Sequence, residues 1–301
     1  HSERVADLTI HLGQALEHLP SGHHANLSFT PQDFREIRYA SLLHDFGKVG
    51  VREPVLVKAE KLYPHELEAL KARFELARKD LQLESYARRI EVVRARGEGS
   101  IAEIDAEESQ RLARALQELD EALEFILSCN RPAVLPRSGF ERLTELGRME
   151  FHDGAGQSQP LLSPEEIQVL SIPRGSLSAQ ERAEMENHVT NTFRILQLIP
   201  WTRDLRRVPE IAYAHHEKLN GAGYPRRITA ESIPVQSRMM AISDIYDALT
   251  ASDRPYKKAV PHVTALDILK AEAQAGQLDQ ELFQVFVEAE IPRRALGRKA
   301  S

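Results

Sequence analysis

Apolar side chains recur at helical spacing along most of the chain. Val5, Leu8, Leu12 and Ala15 form one stripe, and Met185, Val189, Thr192, Leu196 and Ile199 form another. Spacings of three and four keep one face of a helix against a core. Thr30-Pro31, Ser163-Pro164-Glu165-Glu166 and Ser178-Ala179-Gln180-Glu181 mark helix starts. In the last two a serine precedes a glutamate by three residues, so side chain and backbone can satisfy each other at the helix end. No stretch sustains period-two alternation, and only 48–58 has room for a short hairpin. The predicted fold class is all-α.

The stretch 62–172 reads differently. Leu67, Leu70, Phe74, Ala77 and Leu81 follow heptad-like spacing, as do Leu112, Leu116, Leu119, Leu123 and Ile126. A polar, glycine-containing turn, Arg94-Ala95-Arg96-Gly97-Glu98-Gly99-Ser100, lies between them. Two long amphipathic helices joined in this way are expected to fold back as an antiparallel hairpin, with 131–160 as an irregular return loop. Such a hairpin offers a surface for a homodimer or a signalling partner.

Composition narrows the class. At 301 residues, 42% hydrophobic and 28% charged, the chain can bury a sizeable core and is not a disordered polymer. Lys+Arg 39 against Asp+Glu 45 leaves a net charge of −6, which excludes a general affinity for DNA or RNA. No apolar run reaches the roughly 18 residues of a membrane span. The single cysteine, Cys129, excludes a disulfide framework and fits a cytoplasmic location. Beginning at His1, the chain is expected to be part of a longer protein.

The candidate chemistry lies in polar residues on faces that should be apolar. His1 shares a face with Val5, Leu8 and Leu12; His188 shares a stripe with Met185, Val189, Thr192 and Ile195. His215 falls on the stripe of Val208, Ile211 and Ala212, and Asp244 on that of Met240, Ala248 and Ala251. An unpartnered buried carboxylate costs several kcal/mol. For four such sites, joined by His44-Asp45 and His215-His216, a shared metal centre is the simplest compensation. Asp45, with two oxygens, is the natural bridge between two ions. His1, His44, Asp45, His188, His215, His216 and Asp244 would then fill about eight of roughly twelve positions around two octahedral ions. The remainder is open to water and substrate, and the N/O donor set suits iron or manganese. His152-Asp153 and His23-His24 lack apolar stripes and are expected at the surface.

His44-Asp45-Phe46-Gly47-Lys48-Val49-Gly50 resembles the HDxGKxG motif of HD-domain phosphohydrolases. His215-His216-Glu217 through Gly221-Ala222-Gly223-Tyr224-Pro225 resembles the HHExxxGxGYP motif of the HD-GYP subfamily, and Asp244 to Thr250 followed by Arg254-Pro255-Tyr256 resembles its third motif. The resemblance implies an HD-domain helical bundle built from 1–61 and 173–301, with the 62–172 hairpin inserted. It implies a metal-dependent phosphodiesterase that opens cyclic di-GMP to pGpG, and further to GMP in some members, by metal-activated hydroxide attack on phosphorus. By the same resemblance His1, His44, Asp45 and Asp244 hold one ion, and Asp45, His188, His215 and His216 the other. A third ion is left open, because the glutamate that trinuclear members use would precede His1. Asp45 and Lys48 are the implied catalytic residues. Lys48, Arg254 and Lys257 match residues that contact substrate phosphate, and the loop of Gly223, Tyr224 and Pro225 borders the pocket. Two other readings stand beside this one: hydrolysis of another cyclic dinucleotide such as cyclic GMP-AMP, and a non-catalytic cyclic di-GMP reader or interaction module.

Overall fold

Val5, Leu8, Leu12 and Leu16 are fully buried along one face of α1 (Ser2–Leu16). The computed structural model describes residues 1–19, 21–97, 101–132, 134–252 and 259–297. Helix α1 packs on α2 (Pro31–Leu43), which opens at Thr30-Pro31 as expected. Thr30 Oγ1 accepts from the Asp33 N–H at 3.2 Å, and the Asp33 carboxylate accepts from the Thr30 N–H at 2.8 Å. This reciprocal pair pins the end of the helix. The hairpin considered for 48–58 does not form. Phe46–Gly50 is a 3-10 turn, and α3 (Glu53–Leu56) is a single helical turn with Pro54 near its start. Proline lacks the N–H that a strand ladder needs, and its fixed φ suits a first helical turn.

Lys58–Ala179 is a compact unit of its own. Its long elements are α4 (Pro64–Arg96) and α5 (Ile101–Asn130), of 33 and 30 residues. Arg78 pairs with Asp120, Arg88 with Glu108 at 3.1 Å and Arg89 with Asp105 at 3.3 Å. As the α4 number rises the α5 number falls, so the two helices run antiparallel. Leu70, Phe74 and Ala77 share one buried cluster with Leu119, Ala122, Ile126 and Cys129.

The return segment departs from the irregular loop expected of it. It contains α6 (Arg137–Leu146) and a two-stranded antiparallel sheet of β1 (Glu150–His152) and β2 (Ser158–Pro160), with Phe151 opposite Gln159. Leu143, Phe151, Leu161 and Leu162 bury themselves in the cluster of α4 and α5, and this tertiary burial organises a segment too short to show a period. His152 is exposed on β1 beside Asp80. Helix α7 (Pro164–Leu170) starts with the expected Ser163–Glu166 cap. Ser176 Oγ donates to the Lys58 carbonyl at 3.0 Å, so the two ends of this unit meet.

The other unit is His1–Val57 with Gln180–Ser301. These divisions fall a few residues outside the expected 61/62 and 172/173. After α8 (Ala179–Gln197) come α9 (Val208–Tyr213), α10 (Val235–Thr250), α11 (His262–Gln274), α12 (Gln280–Glu288) and α13 (Ile291–Leu296). Leu8, Leu12 and Leu16 pack with Met239, Ile242, Tyr246, Leu282 and Phe286. A second cluster joins Val5, Ala40, Leu196, Ile211, Ala212 and Met240, which draws α1, α2, α8, α9 and α10 together. One surface expectation fails here. His24 is buried, with Nε2 3.0 Å from Asp279 Oδ2, while Asp279 Oδ1 caps α12 at the Leu282 N–H.

Candidate metal centre

All seven residues singled out as ligands lie in the unit of His1–Val57 and Gln180–Ser301 and meet at one place. His44 and Asp45 sit at the end of α2, His188 within α8, His215 and His216 just past α9, Asp244 within α10, and His1 at the start of α1. Three histidines are held by the same local device. The Nδ1–H of His44 donates to the Ser41 carbonyl at 2.7 Å, that of His188 to Met185 at 2.5 Å, and that of His215 to Ala212 at 2.6 Å. Each bond reaches back three residues along the chain. With Nδ1 as the donor, Nε2 keeps its lone pair and faces the cluster. His1 is fixed differently: its Nδ1 lies 2.7 Å from Asp247 Oδ2, and Asp247 also accepts from Arg4 Nε at 2.6 Å.

Asp45 occupies the centre. Its Oδ2 lies 3.5 Å from His1 Nε2 and 3.4 Å from His44 Nε2, while its Oδ1 lies 3.2 Å from His188 Nε2. Asp244 Oδ1 is 3.1 Å from His1 Nε2 and 3.6 Å from His44 Nε2. The donor atoms of His188, His215 and His216 are close enough to share an ion, as are those of His1, His44 and Asp45 and those of His44, His215 and Asp244. His215 thus stands between the two halves rather than wholly in one.

Among the described residues, five buried atoms here have no hydrogen-bond partner: His1 Nε2, His44 Nε2, Asp45 Oδ1, His188 Nε2 and His215 Nε2. Buried polar atoms are ordinarily paired, so this concentration of lone pairs fits cation ligation. The electrostatics agree. Burial alone would raise the Asp45 carboxyl, but His44, His1 and His188 hold it well below the usual carboxylate range. Asp244 is held down in the same way by His1 and His44. Burial would lower His1 and His44, yet the facing carboxylates push them up to about 10 and about 9. His215 and His216 follow burial instead; His216 falls to about 3 and presents a neutral ring. The two carboxylates thus draw positive charge toward His1 and His44 while the rings of His215 and His216 stay neutral, and the pocket as a whole favours a cation.

The supporting residues explain why the motifs contain glycine. A Cβ on Gly47 would stand 2.1 Å from the His188 carbonyl oxygen and 2.5 Å from the Thr192 N. The turn after Asp45 therefore rests directly on α8. Gly47 N–H donates to Thr192 Oγ1 at 2.8 Å, and that hydroxyl donates to the His44 carbonyl at 3.0 Å. A Cβ on Gly223 would stand 2.3 Å from the Lys218 N and 2.5 Å from the His216 carbonyl oxygen. The loop folds back so that the Tyr224 N–H donates to that carbonyl at 3.2 Å, with the Tyr224 ring 4.9 Å from the His216 ring. Pro225 follows through a cis peptide bond. Buried Glu217 ties the loop by accepting from the Arg226 and Ile228 N–H groups at 2.8 and 3.2 Å.

Lys48 Nζ donates to Asp45 Oδ2 at 2.6 Å and remains partly exposed. Arg254 and Lys257 lie outside the described residues. Sequence reasoning assigned no role to Asp247, Arg4, Thr192 or Glu217. Asp247 and Glu217 stand inside the motifs that carry the resemblance, and for Asp247 a polar residue three positions after Asp244, on the same buried face, was the available signal.

Residues 160–282 match the family model of the HD domain, a stretch that includes His188, His215, His216 and Asp244 but not His1, His44 or Asp45. A 3′3′-cGAMP-specific phosphodiesterase of Vibrio cholerae is 36% identical over 127 residues, covering 42% of this chain and 28% of that protein. A cyclic di-GMP phosphodiesterase of the same species is 33% identical over 150 residues, covering 49% and 27%. The cyclic di-GMP phosphodiesterase response regulator RpfG of Xanthomonas campestris is 31% identical over 187 residues, covering 56% and 48%. The chain thus spans between about a quarter and half of the length of these relatives. Four of the seven clustered residues, His188, His215, His216 and Asp244, thus lie on the stretch that matches the HD domain.

Proposed function

We propose that the chain is a metal-dependent phosphodiesterase that hydrolyses cyclic di-GMP to pGpG, with GMP as a further product. The observation that carries the reading is the orientation of Asp45, whose two oxygens face different histidines within a cluster of unpaired nitrogens. Such an orientation would let one carboxylate serve two ions. His1, His44 and Asp244 would complete one ion and His188 and His216 the other, with His215 between them. Iron or manganese suits the donors. When bound, such ions supply a nucleophile from water near neutral pH and offset charge on phosphoryl oxygens.

The chain's own residues do the rest. Asp45 orients the two halves of the site. Lys48, held beside Asp45 Oδ2, places positive charge at the edge of the pocket where a phosphoryl oxygen gains negative charge. Arg254 and Lys257 serve as further phosphate contacts, and Gly223, Tyr224 and Pro225 form a wall against His216. A second substrate, 3′3′-cyclic GMP-AMP, is favoured by one observation: several relatives are named for it, one of them 45% identical over 87 residues.

The 62–172 stretch is assigned to association or control, as a homodimer or signalling contact inserted between 1–61 and 173–301. Leu76, Leu83, Tyr86 and Ile90 are exposed on α4, which supports this assignment. Among the described residues no helix is long and apolar enough to cross a membrane. A cytoplasmic location is proposed from the single unpaired Cys129. The test is anaerobic purification with metal analysis, followed by turnover of both cyclic dinucleotides with identification of products. Two bound ions and a linear product are expected; a metal-loaded chain that binds cyclic di-GMP and hydrolyses neither compound would make it a reader.

A further inference from the structure

A second group of charged residues lies on the same unit, outside the histidine cluster. A cleft of about 270 Å³ is lined by Gln32, Glu36, Arg203, Asp204, Arg206 and Arg207. At its base is Glu36 of α2, only 1% exposed. Glu36 Oε1 accepts from the Arg207 N–H at 3.1 Å, but Oε2 has no hydrogen-bond partner; the Arg207 Nη1 atom is 3.7 Å away. Arg207 is drawn aside by Asp33 and Gln236, at 3.5 and 3.4 Å. Asp204 pairs with Arg35 at 3.0 Å. Arg203 and Arg206 make no hydrogen bond or ion pair among the described residues. The cleft therefore combines one buried acceptor that lacks a hydrogen-bond donor with two guanidinium groups that make no close ion pair among the described residues, Arg206 acting on the Glu36 carboxyl only through space.

A ligand that satisfies both must be an anion that also carries a proton. We propose that this cleft binds a phosphate group retaining one proton, whose P–OH donates to Glu36 Oε2 while its anionic oxygens accept from Arg203 and Arg206. Hydrogen phosphate has this form at neutral pH, and so does the singly protonated form of a phosphomonoester. Sulfate has the same shape and charge but no proton, so its oxygens would face the carboxylate and be repelled. Burial pushes the Glu36 carboxyl up, against the opposing pull of Arg207 and Arg206.

The position gives such a ligand leverage on the metal centre. Glu36 and His44 belong to one helical segment, α2 and its end, and Arg207 leads into α9, which His215 and His216 follow. A phosphate held by Glu36, Arg203 and Arg206 fastens the segment carrying His44 to the segment carrying His215 and His216.

The experiment is isothermal titration of the metal-loaded full chain at pH 7 with inorganic phosphate, sulfate or GMP. Arg203→Ala/Arg206→Ala and Glu36→Gln variants are titrated in parallel, with metal content measured for each. The expected result is a phosphate-binding component that disappears in the double arginine variant while metal content is unchanged. For that component phosphate should bind about tenfold or more tighter than sulfate, the scale of one hydrogen bond to a charged group. Glu36→Gln, whose amide can donate, should bring the two anions within about threefold. GMP competing with phosphate in the same component would identify a phosphomonoester as the ligand, and GMP leaving it untouched would identify free phosphate. Phosphate binding that survives the double variant, or sulfate binding as tightly as phosphate to the wild type, would overturn the proposal.

Discussion

The two units of this chain bury polar groups in opposite ways. In Lys58–Ala179 they are buried with their partners: Lys61, fully buried, donates through Nζ to the Leu170 carbonyl at 2.8 Å, and Asn130 Oδ1 accepts from the Leu62 N–H at 2.7 Å. Among the described side chains of that unit only Arg89 Nε is buried without a hydrogen bond. The other unit leaves five unpaired atoms in one cluster and Glu36 Oε2 in another. An unmade buried hydrogen bond costs about 1–3 kcal/mol. Several gathered at one point are not an error of packing but the sign of a ligand, and among the described residues they gather only in the unit of His1–Val57 and Gln180–Ser301.

The contrast breaks most severely at its centre. Asp45→Ala should remove bound metal and bring turnover below about a thousandth of wild type, the scale of losing a group the chemistry requires. Metal analysis of the purified variant checks it; two retained ions would sink the bridging role. One step out, Asp247→Asn leaves the ligands in place but loosens the hold on His1. A fall of about 10–100-fold in metal affinity is expected, measured by competition with a chelator.

Smaller effects sharpen the comparison. Arg254→Ala should weaken turnover about tenfold with metal content intact, as expected for one charged contact to phosphate; loss of metal would show that this residue is misplaced. Phe74→Ala in α4 should destabilise Lys58–Ala179 by about 3–5 kcal/mol while leaving bound metal unchanged, read by limited proteolysis beside metal analysis. Replacement of 62–172 by a short flexible linker should have the least effect on chemistry: metal binding and basal hydrolysis persist, and oligomeric state or control changes. A folded deletion variant with both metals and no hydrolysis would place part of that stretch in the reaction.

The pattern of apolar positions was enough to read α1, α4, α5 and α8, because each buries one continuous stripe. Five of the seven cluster residues were legible for the same reason: His1, His188, His215 and Asp244 interrupt such a stripe and His216 adjoins one, whereas His44 and Asp45 were read from their dipeptide and its motif. What escaped has no local signature. The sheet of β1 and β2 buries only Phe151, so its three-residue strands show no alternation. His24 looked exposed because its partner, Asp279, lies 255 residues away. The back-bonds that orient His44, His188 and His215 use carbonyls, which every residue possesses, so no side-chain pattern announces them. Arg254 and Lys257 were singled out only through the third motif.

The hydrogen bond between Ser176 and Lys58 bears on the order in which the chain folds. His44 and His188 meet only when a stretch on the order of a hundred residues is closed, and each doubling of a floppy loop costs about 0.6 kcal/mol. If Lys58–Ala179 folds first, its joined ends shorten that loop about fivefold and remove roughly 1.5 kcal/mol of closure entropy. Much of that unit rests on contacts between neighbouring helices α4 and α5, which form quickly. The intervening unit then acts as a clasp, and the halves of the metal centre meet at the rate of a small domain rather than of the whole chain.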